Sequence, residues 1–178
     1  MTYNCKVFYL AIFLIVFSLL SSAEAWAANS RYFTVRWGTP ELLREFNDNL
    51  SIGRLSRLIQ RGNIVTVEDE VYAKLDAILE KAQFVLDMFP PNLKVAMVLL
   101  PDRRAVAAMY QQKYGKVADN IAYYSLSENT VYVSVKDANL RVVAHELGHA
   151  IVNHYFTQRP PYQIHELMAQ FAEKHITD

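Results

Sequence analysis

The residues of this 178-residue chain best suited to chemistry are His145, Glu146 and His149, in the run His145-Glu146-Leu147-Gly148-His149. On a helix, a step of four residues turns a side chain by only about 40° around the axis, so both imidazoles leave one face a turn apart. Two such nitrogens can reach one zinc ion at about 2.1 Å. Glu146 is turned roughly 100° from His145, so it flanks the ion rather than binding it. From there it can take a proton from water that the metal has made acidic. The alternative is a structural histidine pair on a solvated helix.

Two ligands hold a metal weakly, so a third is needed. His154, His165, Glu166, Glu173 and His175 follow in sequence. His154 lies nine residues beyond His145, about half a turn out of phase on the same helix. It also falls one residue short of the longer H-E-x-x-H-x-x-G-x-x-H pattern and lacks its glycine. Pro160-Pro161 should fold the next helix back beside the first. Glu166, 17 residues past His149, falls in the first turn or two of that helix. His165 points about 100° away from it, so only one of the pair should face the ion.

Composition narrows the remaining chemistry. Eighteen basic and eighteen acidic residues cancel, which argues against a nucleic-acid binder with its basic footprint. The five glycines are too scattered to cradle a phosphate. Cys5, the lone cysteine, excludes an intrachain disulfide and a Cys-rich zinc module. At 52% hydrophobic residues the chain should fold, and its length fits one domain.

Residues 7–20 form an uncharged apolar run, short of the roughly 20 residues that span a bilayer. Lys6 precedes it, and Ala23-Glu24-Ala25 has the small-x-small form read by signal peptidase. Residues 1–25 therefore read as a secretory signal peptide, with Ala25-Trp26-Ala27 as a second cut and an uncleaved anchor as the alternative. The expected product is a periplasmic or extracellular domain, 26–178, with no stable membrane insertion. It keeps no cysteine, so a metal must be held by His, Asp or Glu.

The elements that must position these groups follow from periodicity. Ser30–Trp37 reads as a strand. Pro40 opens a helix to about residue 60, bent or broken at Gly53 and ended by Arg61-Gly62-Asn63. Leu42, Leu43, Phe46, Leu50, Leu55, Leu58 and Ile59 share its face, which packs inward, seats a partner or covers a cleft. Thr66, with Asp69, caps a helix to about Met88. Leu93–Leu100 reads as a buried strand, and Pro101 or Asp102 opens a helix to Tyr114. Residues 121–125 and 130–135 form a hairpin around Ser127-Glu128-Asn129. Asp137 should cap the helix 138–156 that carries the histidines, and 162–175 form the last helix. This order predicts an α+β fold, a small mostly antiparallel sheet packed on helices. Residues 130–135 could offer an exposed edge to an extended peptide.

The run HELGH, a proline-containing turn and then HELMAQFAE resembles the gluzincin metallopeptidases, in particular the peptidase MA-like group. The likeness covers roughly residues 68–175 and includes the preceding strand, helix and hairpin. It implies a zincin-like fold, one zinc ion per chain, and Glu166 as the third ligand beside His145 and His149. Glu146 would be the general base, acting on a peptide or protein substrate. The chain departs from that group's E-G-L-A-E-Y pattern: Leu167 stands at the glycine, Gln170 at the second acid and Phe171 at the tyrosine. Gln170, one turn past Glu166, can still accept an N–H from a ligating imidazole. Phe171 cannot donate to an oxyanion, which turns attention to His165 and Tyr162 as the donors nearest Glu166, ahead of His175, Tyr123 and Tyr124. The expected function is an exported zinc metallopeptidase. The alternatives are an inactive exported domain that binds a peptide or envelope partner, and a hydrolase of non-peptide amides.

Overall fold

A computed structural model describes residues 27–59 and 64–178. The expected signal peptide and the expected helix end at Arg61-Gly62-Asn63 lie outside the described residues.

Strands β1 (Ala27–Asn29) and β2 (Phe33–Arg36) open the fold, followed by α1 (Pro40–Asn49). Pro40 occupies the first turn, where its missing N–H costs nothing, and Thr39 accepts the Leu42 N–H. The expected helix to residue 60 stops at Asn49. Leu50 caps its end, and a 3-10 turn (Gly53–Leu58) follows, where Gly53 at φ 52° supplies the left-handed residue that opens the turn. Leu43, Phe46, Leu50, Ile52 and Leu55 enter the main core, and the Asn49 amide donates to the Val135 carbonyl at 2.9 Å. This region is therefore packed into the domain and does not line the cleft that contains His145, Glu146 and His149.

Helix α2 (Val67–Leu86) starts in the expected capping box, with Thr66 and Asp69 each satisfying the other's backbone N–H. Its Val71, Leu75, Ile78, Leu79 and Ala82 are buried. Strand β3 (Val95–Leu100), α3 (Arg103–Tyr114), β4 (Ala122–Ser125), β5 (Thr130–Ser134), α4 (Leu140–Tyr155) and α5 (Tyr162–His175) complete the chain. Asn139, not Asp137, caps α4, accepting from the Arg141 and Val142 N–H groups. Asp137 instead accepts from the Ser134 hydroxyl.

The fold is α+β, with one five-stranded sheet in the order β1-β2-β3-β5-β4. The expectation of a mostly antiparallel sheet is corrected. The inner pairs β2–β3 and β3–β5 are parallel, and only the outer pairs β1–β2 and β4–β5 are antiparallel. The reason lies in the connections. β2 returns as β3 through α1 and α2, a helical crossover that restores direction. After α3 the chain enters at the far edge as β4, then folds inward through the hairpin so that β5 inserts beside β3. The expected exposed edge at 130–135 is corrected with it: every residue of β5 is buried, and β4 carries the free edge.

Helices α2, α4 and α5 join one continuous core with the sheet. Helix α3 covers a smaller cluster of Val106, Tyr123 and Tyr132. Val143, Leu147 and Ile151 of α4 are at most 1% exposed. Burying each contributes about 1.5–3 kcal/mol, and together they fix which face of α4 turns away from the core. Among the described residues, no helix is long and apolar enough to cross a membrane.

Candidate metal centre

Helices α4 and α5 lie in unusually close contact at Gly148. A Cβ there would stand 2.9 Å from the Ala169 Cα and 3.3 Å from the Ala172 Cβ. Glycine opposite two alanines lets the backbones approach, and the first turns of α5 thereby come against the polar stripe of α4.

His145, His149 and Glu166 meet at this contact, each offering a ligand atom within 4.8 Å of the others. The Nε2 of His145 lies 3.6 Å from one Glu166 oxygen, and the Nε2 of His149 lies 3.5 Å from the other. The two rings stand 4.9 Å apart and nearly perpendicular. Two convergent nitrogens and a carboxylate could hold a metal ion. Of the adjacent pair on α5, Glu166 takes the position between the imidazoles.

The remaining ring nitrogens are engaged from behind. Nδ1 of His145 lies 3.0 Å from a Glu173 oxygen. Nδ1 of His149 lies 2.8 Å from Nδ1 of His165, whose ring stacks on it at 5.0 Å. This second contact dictates where protons sit. For His149 to present a lone pair at Nε2, its proton must be on Nδ1 and be donated to His165. His165 then carries its own proton on Nε2, which is buried without a hydrogen-bond partner. Burial pushes the His149 pKa down to about 3, helped by the charges of His145, His165 and Arg159, so the ring is neutral at ordinary pH. Burial also lowers the His165 pKa.

Glu146 is 8% exposed and shares the cleft with the three candidate ligands. Burial, with smaller contributions from Glu166 and Glu173, pushes its carboxyl up to about 8, against the pull of the Tyr124 backbone N–H. A cation bound alongside would draw it back toward the carboxylate. The cleft has a volume of about 620 Å³ and runs past β4 to Tyr110 and Tyr114 on α3.

The other residues singled out by sequence fall as follows. Gln170 donates to Glu166 at 3.0 Å and does not accept from an imidazole as expected, because its amide lies against the carboxylate one turn earlier. Tyr162 is 65% exposed at the cleft. His154 bonds back to the Ala150 carbonyl of its own helix, and His175 pairs with Asp178. Neither lines the cleft. The Tyr124 hydroxyl is tied to Asn129 and Asn153, while that of Tyr123 is buried and unpartnered. Sequence reasoning weighed Glu173 only as a third ligand. It lies seven residues, nearly two turns, after Glu166, a spacing that returns to the same face. Arg159, in the connector between the two helices, was missed altogether, and it lines the cleft. Its signal was a cation in the short segment joining the ligand-bearing helices.

No family model matches the chain, and neither a curated protein nor a solved structure matches it.

Proposed function

We propose that this chain is an exported zinc-dependent metallopeptidase with a zincin-like fold, of the gluzincin type that its HELGH and HELMAQFAE segments resemble. The observation that carries this reading is the convergence of the His145 and His149 Nε2 atoms on the two oxygens of Glu166, with buried Glu146 in the same cleft. Two imidazoles and one carboxylate suit zinc better than magnesium or calcium, which prefer oxygen alone. Bound there, zinc would polarise a substrate carbonyl and acidify the attacking water.

The chain's own groups supply the rest. Glu146 accepts the proton of the attacking water and later gives it to the leaving amine. Its burial raises its affinity for that proton between the two steps. The free edge of β4 borders the cleft and can pair with an extended peptide through backbone hydrogen bonds. Glu173 and His165 hold the two imidazoles in the tautomers that binding requires.

The test is the metal content of the purified mature chain. Wild type should carry one zinc, and Glu166→Ala should lose it. Glu146→Gln should keep the zinc while cleavage of a mixed peptide library falls by about 10²–10⁴-fold. Equal cleavage by Glu146→Gln and wild type would remove Glu146 as the base. Bound zinc with no cleavage by wild type would favour a domain that only binds its peptide.

A further inference from the structure

We propose that Arg159 is a catalytic residue, the group that stabilises the oxyanion formed when water adds to the substrate carbonyl. The proposal rests on the peptidase reading above and supplies what that reading lacks, a donor for the tetrahedral state. Residues 156–161 join α4 to α5. Pro160 disfavours the helical conformation at Arg159, and Pro160-Pro161 fix the two φ angles that follow. A stiff connector thus holds Arg159 at the cleft that contains His145, Glu146, His149 and Glu166.

Three observations select it. Among the described residues, Arg159 is the one lysine or arginine lining this cleft. It is exposed, Glu166 and Glu173 pair with histidines, and the guanidinium has no ion-pair partner among the described residues. Several neutral donors at the cleft are committed elsewhere. The Tyr124 hydroxyl is held by Asn129 and Asn153, that of Tyr114 by Ser125, and Nδ1 of His165 by His149. Tyr162 remains, with the unpartnered Tyr123 hydroxyl and the His165 Nε2–H, but all three are neutral and the last two are buried.

The movement of charge favours the cation. In the addition step the water oxygen bonds to the carbonyl carbon and a water proton passes to Glu146. The carbonyl π pair moves onto its oxygen. Negative charge thus leaves a buried carboxylate and appears on an oxygen in the cleft. A fixed positive group on the cleft side lowers the energy of that transfer. When the intermediate collapses, the C–N bond breaks, the proton on Glu146 goes to the nitrogen, and the charge on the oxygen is discharged. Arg159 lines the same cleft as His149 and His165.

The experiment compares wild type, Arg159→Gln, Arg159→Lys and Tyr162→Phe, all zinc-loaded, on the best-cleaved peptide of a mixed library. Arg159→Gln should lower kcat by about 10²–10³-fold with little change in KM. Arg159→Lys should recover part of the loss, and Tyr162→Phe should lose less than Arg159→Gln. Binding gives a second readout. A phosphonyl dipeptide, which mimics the tetrahedral anion, should bind Arg159→Gln about 10²-fold more weakly than wild type. A mercaptoacetyl dipeptide, with no such second oxygen, should change far less. Unchanged kcat, a rise confined to KM, or equal weakening of both ligands would overturn the role of Arg159 while leaving the peptidase reading intact. Failure of wild type to bind zinc or cleave any peptide would overturn the reading itself, and the proposal with it.

Discussion

His145 and His149 come from one helix, one turn apart, yet they are held in different ways. His145 leans on a carboxylate, Glu173, whereas His149 leans on the neutral ring of His165. A carboxylate accepts the Nδ1 proton strongly and makes the ring a better electron donor to a metal. A neutral imidazole accepts more weakly and must place its own proton elsewhere. In His165 that proton falls on a buried nitrogen with no acceptor, an arrangement that costs about 1–3 kcal/mol. The two sides of the site therefore differ in kind: one is tuned by charge, the other by shape and stacking.

That contrast can be broken from the centre outward. Glu166→Ala should have the largest effect, because its two oxygens face both imidazoles; zinc titration should show affinity lost on either side alike. Glu173→Ala should weaken zinc binding about 10–100-fold, and Glu173→Gln less, since an amide oxygen still accepts from His145. His165→Asn should cost no more than about tenfold, because a suitably placed amide oxygen can take the Nδ1 proton and removes the orphaned N–H. His165→Leu, which offers no acceptor, should cost more. If Glu173→Ala and His165→Asn weaken zinc equally, the supposed difference between the sides is wrong.

The smallest effect lies far from the candidate metal site and serves as its control. Burial pushes the Asp76 carboxyl from 3.8 to about 6, despite the Ser30 hydroxyl that donates to it. Its folded pKa is above its unfolded one, so the folded state binds the proton more tightly. The associated stability is fully present below about pH 3.8 and is lost as pH rises through 6. Asp76→Asn should raise stability at pH 7 by about 1 kcal/mol, less than the full shift implies because the group is partly solvated. Urea unfolding at pH 4 and pH 7 should show the gain at pH 7 only, with zinc affinity unchanged.

What could be read from sequence follows from how local each feature is. The spacing of His145 and His149 is a property of one helix, so their shared face was legible from the period alone. The Thr66 cap and the hairpin at 122–134 were legible for the same reason. Glu166 needed the resemblance, since periodicity says only that it or His165 faces the ion. The backing groups were not legible, because Glu173 and His165 reach the imidazoles only through the packing of α5 on α4. The parallel centre of the sheet was hidden likewise. Nothing local to Thr130–Ser134 says that β5 inserts beside β3 and leaves β4 at the edge.

Gly148 also works as a gauge block. With nothing but hydrogen between the rods at that point, the span from imidazoles to carboxylate is set by main chain touching main chain. Carbon atoms settle at about 3.5 Å or more, so a methyl lodged at 2.9 Å from the Ala169 Cα would drive the rods apart by roughly 0.6 Å. Coordination lengths tolerate only about 0.2 Å. Gly148→Ala should therefore trade the preferred ion for a wider one, with cadmium gaining on zinc in direct competition.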